Sequence, residues 1–223
     1  MADSSAPMRT RLRHLPVLKG PLADAAFDSL PDIPYQAFEV WISAAIAAGV
    51  PEPHAMTVST VDENGWPDAR VLILKNVDER GWHFAVKAGS PKGQQITANP
   101  HVALTFYWPQ MGRQVRIRGL AVTLPAEECA TDFLDRPMAS RVSAMASKQS
   151  RVLTHPTELQ ASLEKADSDL HSNPQYVSPE WRVYAVTPDT VEFWQGASDR
   201  LHGRLRFART TEEGFWRRES LWP

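Results

Sequence analysis

From Ala55 onward the apolar residues recur at every second position, in one short segment after another. "AMTVSTVD", "ARVLILK", "WHFAVK", "HVALTFYW" and "RQVRIRGLAVTL" all carry this period, and only "SPKGQQITANP" (residues 90–100) interrupts them with the look of a short helix. A period of two is the spacing of strands with one buried face. The first two segments flank "ENGWPD", so they read as a β-hairpin with Asn64-Gly65 in its turn. Many short strands in succession with few helical crossovers predict an antiparallel sheet curled into a closed or nearly closed barrel.

Ahead of the strands, Phe38, Trp41, Ile42, Ala45 and Ile46 stand at helical spacing, with Asp32 a plausible N-cap, Pro34 an early-helix residue and Gly49 a stop. Residues 1–30 show weak periodicity and read as an arm, mobile or draped over a neighbour; residues 31–223 form the domain. A helical interlude runs from about Ala126 to His171. Strands then return in "WRVYAVTPDTVEFWQG", expected to break at Thr187-Pro188-Asp189, in "RLHGRLRFAR", and in a short one near "FWRRESLW".

Composition narrows the function classes. A chain of 223 residues buries roughly 70% of its unfolded surface and needs no staples. The formal charge of −2 argues against bulk attraction to nucleic acid or membrane. No apolar run reaches the ~18 residues of a membrane span, and the arginines near the start (Arg9, Arg11, Arg13) lack the apolar region of a secretory signal. The single cysteine, Cys129, allows no internal disulfide and suits a reducing cytoplasm. The seven histidines are scattered, so no metal site is expected.

Cations cluster within the strands. Extending the alternation of "RLHGRLRF" puts Arg200, His202, Arg204 and Arg206 on one face and Leu201, Leu205 and Phe207 on the other, with Gly203 where a side chain has little room. Like charges on one face imply an anion. In "RQVRIRG", Gln114, Arg116 and Arg118 share a face opposite Arg113, Val115 and Ile117. In "ASPKG", Lys92 lies in the first turn of a helix, where free N–H groups favour an anion; taken alone, the segment reads as an ordinary capped helix with a solvated lysine. Arg70 and Lys75 are five apart and point to opposite faces of a regular strand; a bulge, or a site shared between subunits, would bring them to one ligand.

Taken together, "AMTVSTVDENGWPDARVLILK", "SPKGQQITANP", "FYW", "RQVRIRG", "DRPMASRVSAMASKQS", "VEFWQG" and "RLHGR" resemble the pyridoxine/pyridoxamine 5′-phosphate oxidase family, from about Pro53 to Pro223. The resemblance implies a mainly β (α+β) FMN-binding split barrel with Greek-key connections and peripheral helices, working as a cytoplasmic homodimer with FMN at the interface. It implies FMN contacts from Arg70, Lys75, Lys92, Gln114, Gln149, Ser150, Trp194 and Arg204. It implies substrate contacts from Lys75, Arg136, Ser140, Arg200 and His202, the last two near the reacting carbon. The reaction implied is oxidation of pyridoxine or pyridoxamine 5′-phosphate to the aldehyde, with oxygen reduced to hydrogen peroxide.

The chain departs from the family pattern at Pro91, where a cation is usual, at Ala85-Val86 in place of Tyr-Thr, at Asp132 in place of a substrate-phosphate tyrosine, and at Gly203 in place of an acid. These departures predict weaker flavin binding. They also keep two alternatives open: oxidation of another aromatic, as in the related phenazine-biosynthesis flavin oxidases, or flavin binding with little turnover.

Overall fold

The computed structural model describes residues 6–18, 22, 25–212 and 214–223. Its strands are β1 (Ala55–Val61), β2 (Pro67–Ile73), β3 (Asn76–Asp78), β4 (Gly81–Lys87), β5 (His101–Trp108), β6 (Arg113–Thr123), β7 (Trp181–Gln195), β8 (Gly203–Arg209) and β9 (Trp216–Ser220). Its helices are α1 (Met8–Arg13), α2 (Pro34–Ala47), α3 (Pro91–Ala98), α4 (Ala126–Leu134), α5 (Met138–Ala146) and α6 (Pro156–Ser172). All strand pairs are antiparallel, in the order β2-β1-β5-β6-β7-β4-β3, and β8 joins β7 and carries β9.

The long strand β7 organises the sheet. One edge pairs with β6 along its length. The other edge is divided: Trp181–Val186 pair with β4, and Thr190–Gln195 pair with β8. Two flaps therefore leave one strand, and the curled sheet is a split barrel with Greek-key connections. The expected break at Thr187-Pro188-Asp189 is instead a bulge. The register with β6 slips between Arg118 and Gly119, so that Arg118 faces Thr190 and Gly119 faces Pro188 while β7 continues. A proline has no N–H for the ladder, and a bulge is where a strand tolerates it.

The hydrophobic period is met by an aromatic core. Phe38 and Trp41 of α2 enter the curl of the sheet; Phe38 meets Trp82 at 5.5 Å and Phe106 at 4.8 Å, and Trp41 meets Phe193 at 5.1 Å. Each such buried ring contributes roughly 1.5–3 kcal/mol relative to exposure. Ile46, expected on the same face, is exposed. Asp32 is not the N-cap of α2. That position is Ile33, without a side-chain cap, while Asp32 accepts from Arg218 Nη1 at 2.7 Å. Gly49 does stop the helix, at φ +67°.

The arm expectation is partly outside the described residues (1–5, 19–21, 23–24). In its described part α1 is exposed throughout, while the residues after it lie on their own chain: Leu18 and Leu22 approach Gly112, Leu18 approaches Gly196, and Phe27 covers Gly203. The interlude α4–α6 sits outside the barrel. Cys129 of α4 packs with Leu124, Val183 and Ala185, which fixes α4 on β7.

Candidate functional site

Three polar groups carry the residues singled out in the sequence. The first joins β1, β2 and α3. Arg70 donates to Thr60 Oγ1 at 2.6 Å and to Gln95 Oε1 at 3.2 Å, and it pairs with Asp68. Gln95 and Arg70 together hold the Asp68 carboxyl below its ordinary value. Ser90 caps α3 by accepting from Gly93 N.

Lys92, in the first turn of α3, is buried rather than solvated. Its Nζ donates to Gln149 Oε1 at 2.7 Å, and it has no salt-bridge partner among the described residues. Burial, then the nearby Arg70, pushes the ammonium below its ordinary pKa. Ser150 follows in the left-handed region (φ +67°) and is exposed. A cleft of about 480 Å³ adjoins, lined by Lys87, Ser90, Gln149 and Arg151 among others.

The second group gathers on β7 and α4. After β2 ends, Leu74 N still bonds His54 O beside β1, but Lys75 N bonds His83 O on β4. The chain thus crosses between strands just before Lys75, which separates its surroundings from those of Arg70. Lys75 Nζ lies 3.4 Å from Asp132 Oδ1, and Asp132 Oδ2 accepts from Trp181 Nε1 at 2.8 Å. Arg136 stacks over the Trp181 ring at 4.2 Å, with Nη1 buried and unpartnered. Burial lowers the Arg136 pKa, and the Asp132 charge opposes that. Lys75, not Arg136, is the direct ion-pair partner of Asp132. Ser140 lies in the first turn of α5, half-buried.

The third group lies across β6, β7 and β8. Gln114 faces Trp194, and Trp194 faces Arg204, in register. The His202 ring sits 4.8 Å from Trp194. Ala197 N donates to His202 Nδ1 at 3.0 Å, so the ring proton is on Nε2. Strand β8 begins only at Gly203, so the single alternating face expected from Arg200 does not form. Arg200 is in a turn with φ +68°, exposed, and Leu201 is exposed too. From Arg204 the alternation holds, with Leu205 and Phe207 buried. The anions that face these arginines include carboxylates of the chain itself. Glu192 accepts two bonds from Arg204, at 2.9 and 2.8 Å, and also pairs with Arg116; Arg206 bonds Glu219.

Trp181, Glu192, Thr60 and Gln95 had not been singled out. Glu192 stands two residues before Trp194, on the same strand face, and that alternation was the available signal. The other three are joined to their partners only by the fold.

Two family models match the chain: pyridoxamine 5′-phosphate oxidase over residues 42–169, and the pyridoxine 5′-phosphate oxidase C-terminal dimerisation region over residues 181–223. The chain belongs to the pyridoxamine 5′-phosphate oxidase family. Among curated relatives, the pyridoxine/pyridoxamine 5′-phosphate oxidase of Haemophilus influenzae is 46% identical over 193 residues, covering 85% of this chain and 89% of the relative. That of Salinibacter ruber is 40% identical, covering 90% and 94%. Among solved structures, PhzG from Burkholderia lata, in complex with tetrahydrophenazine-1-carboxylic acid, superposes with a TM-score of 0.84 at 28% identity, covering 91% of this chain and 98% of that one. A pyridoxamine 5′-phosphate oxidase-related, FMN binding protein of Nostoc punctiforme shares the fold, with a TM-score of 0.69 at 16% identity, covering 83% and 97%. Every candidate residue, from Arg70 to Arg204, lies inside the two matched stretches. Membership in this family of oxidases makes the chain an oxidoreductase carrying a dimerisation region.

The first group fits a flavin phosphate. Arg70 is paired with Asp68, but among the described residues the buried Lys92 ammonium is bonded only by the neutral amide of Gln149, so two cations share one carboxylate and the site is short of negative charge. A phosphate supplies that charge and strong acceptors. Among the described residues, no helix is long and apolar enough to cross a membrane.

Proposed function

We propose that this protein is an FMN-dependent oxidase that converts pyridoxine 5′-phosphate or pyridoxamine 5′-phosphate to pyridoxal 5′-phosphate, with oxygen as acceptor and hydrogen peroxide as product. The observation that carries this reading is the match to named oxidases through all the segments that bear the site residues. FMN would supply a hydride acceptor and a route for electrons to oxygen.

The chain's own residues bind and orient. Lys92 and Arg70 take the flavin phosphate, with Gln149 holding Lys92 and Ser150 beside it. Gln114, Trp194 and Arg204 form a wall for the flavin, stiffened by the bonds from Arg204 to Glu192. Lys75, Arg136 and Ser140 receive the substrate phosphate; the unpartnered Arg136 Nη1 supports this, since a buried N–H without an acceptor is costly. His202, with its proton on Nε2, donates to the ring hydroxyl, and Arg200 closes beside the reacting carbon. The three groups are not joined by hydrogen bonds or ion pairs among the described residues, which favours a site completed by a second copy, with FMN between the subunits. A cytoplasmic setting suits Cys129, which is buried and free.

Adding pyridoxamine 5′-phosphate to the FMN-loaded protein without oxygen tests the reading. The flavin absorbance should bleach and return in air; an unchanged spectrum would contradict it. A second reading, oxidation of a tricyclic carboxylate, is favoured by Asp132 beside Lys75 and by the likeness to PhzG. Under it, a dihydrophenazine carboxylate would bleach the flavin faster than the vitamin phosphate.

A further inference from the structure

Asp132 puts a fixed negative charge into the group that holds Lys75 and Arg136. One carboxylate oxygen accepts from Trp181 Nε1 at 2.8 Å, and the other lies 3.4 Å from Lys75 Nζ. Trp181 is buried, so turning the carboxylate away would strand the indole N–H. Arg136 stacks on that same indole, with one N–H buried and open to an acceptor. One turn earlier on α4, Glu128 faces the β3–β4 hairpin instead, where it is held at 2.8 Å by Arg80, a cation it shares with Asp78. Two cations and one carboxylate leave a single net positive charge.

A singly charged anion neutralises that pocket. A dianion over-balances it and meets Asp132 at close range. We propose that Asp132 is a specificity-determining residue that makes this pocket select a monoanionic group on its ligand, whether a phosphate ester in its singly ionised form or a carboxylate. This inference rests on the reading of Lys75 and Arg136 as substrate-binding residues.

The test compares two esters of the same ring, pyridoxine 5′-phosphate and pyridoxine 5′-sulfate, by equilibrium dialysis against the FMN-loaded protein. A phosphate ester has its second pKa near 6, so its monoanion falls about 20-fold between roughly pH 5.5 and 7.5. The sulfate ester stays a monoanion, and it shares every titration of the ring and of the protein. Phosphate affinity should therefore fall about 20-fold over that window relative to sulfate affinity. Phenazine-1-carboxylate, a monoanion throughout, should follow the sulfate.

Asp132→Asn keeps an acceptor for Trp181 and removes the charge. It should bring the phosphate-to-sulfate difference within about threefold. Should that variant fail to fold, the comparison on the unaltered protein decides alone. Phosphate affinity that stays level or rises with pH relative to sulfate overturns the charge selection while leaving the substrate site standing. So does an equal fall in Asp132→Asn. If neither ester binds at any pH, the reading of the substrate site fails, and the inference falls with it.

Discussion

Lys92 is where burial and charge meet most sharply. It is 6% exposed, yet its Nζ has only a neutral amide oxygen as hydrogen-bond partner. Its pKa is lowered by burial and by Arg70, so the folded chain holds that proton less well than the unfolded chain does. At any pH where the ammonium is charged in both states, this costs stability unless an anion is bound. Lys92→Met should leave the FMN-free protein as stable as before or more so, while weakening FMN at least about tenfold, the cost of one charge-assisted contact; calorimetry and flavin titration measure the two effects. Arg204 should behave in the opposite sense. Removing it leaves Glu192, whose side chain is only 12% exposed, with Arg116 at 3.5 Å as its one ion-pair partner among the described residues, so Arg204→Ala should lose about 1–3 kcal/mol in denaturant unfolding. Arg200, exposed in its turn, should cost turnover and little stability when changed to alanine. The sequence announced a basic surface between Arg200 and Arg206, but not its internal carboxylates. Pairing Arg204 with Glu192 requires the register of β7 against β8, and alternation within one strand carries no register. The burial of Lys92 was hidden for a related reason: residues 57 positions away supply its partner.

At the scale of elements, period and punctuation went far. The β1–β2 hairpin, the capped helix α3, the strands β5 and β6, and Gly49 at the end of α2 were all legible, because each depends on neighbours in the chain. The bulge in β7 was not. A Thr-Pro-Asp run marks a break and a bulge alike, and the choice depends on β6, which bends with it. Gly203 gains its reason here. A Cβ at this position would lie 2.9 Å from Phe27, whose ring already stacks with Trp41. Gly203→Ala should therefore cost about 1–3 kcal/mol through overpacking and loosen the arm, visible as faster proteolysis ahead of Ser29. The contact between α4 and the β3–β4 hairpin is polar. His83 Nε2 lies 3.0 Å from Asp78 Oδ1, and Arg80 joins Asp78 to Glu128. Burial, opposed by Asp78, holds the imidazole below its ordinary value. The unfolded chain takes up a proton near pH 6.5 that the folded chain resists, so stability should decline as pH drops below about 6.5 toward the folded value. His83→Gln should flatten that part of the stability profile, read by thermal unfolding.

For the whole molecule, β7 is the spine from which the two flaps of the barrel separate; the second and third polar groups stand on it, and the first lies farther along the sheet on β1, β2 and α3. The family resemblance was legible because its segments keep their order and spacing over most of the chain; the assembly of the site from separated groups was not, because one chain does not join them. The dimerisation region at residues 181–223 contains the β7 and β8 part of the third group, including Trp194 and Arg204, while Gln114 lies in the other matched stretch. If the flavin site takes Lys92 from one subunit and Trp194 from the other, mixing refolded Lys92→Met and Trp194→Ala proteins at limiting FMN should restore about one fully working site per mixed dimer, and each variant alone should turn over well below that. The central claim is that the intact protein oxidises the vitamin phosphate. Its most direct test is steady-state assay of the FMN-loaded protein with pyridoxine 5′-phosphate in air, following aldehyde and peroxide together. The account predicts that both products form in equal amounts and well above the rate with free FMN; turnover no faster than free FMN would contradict it.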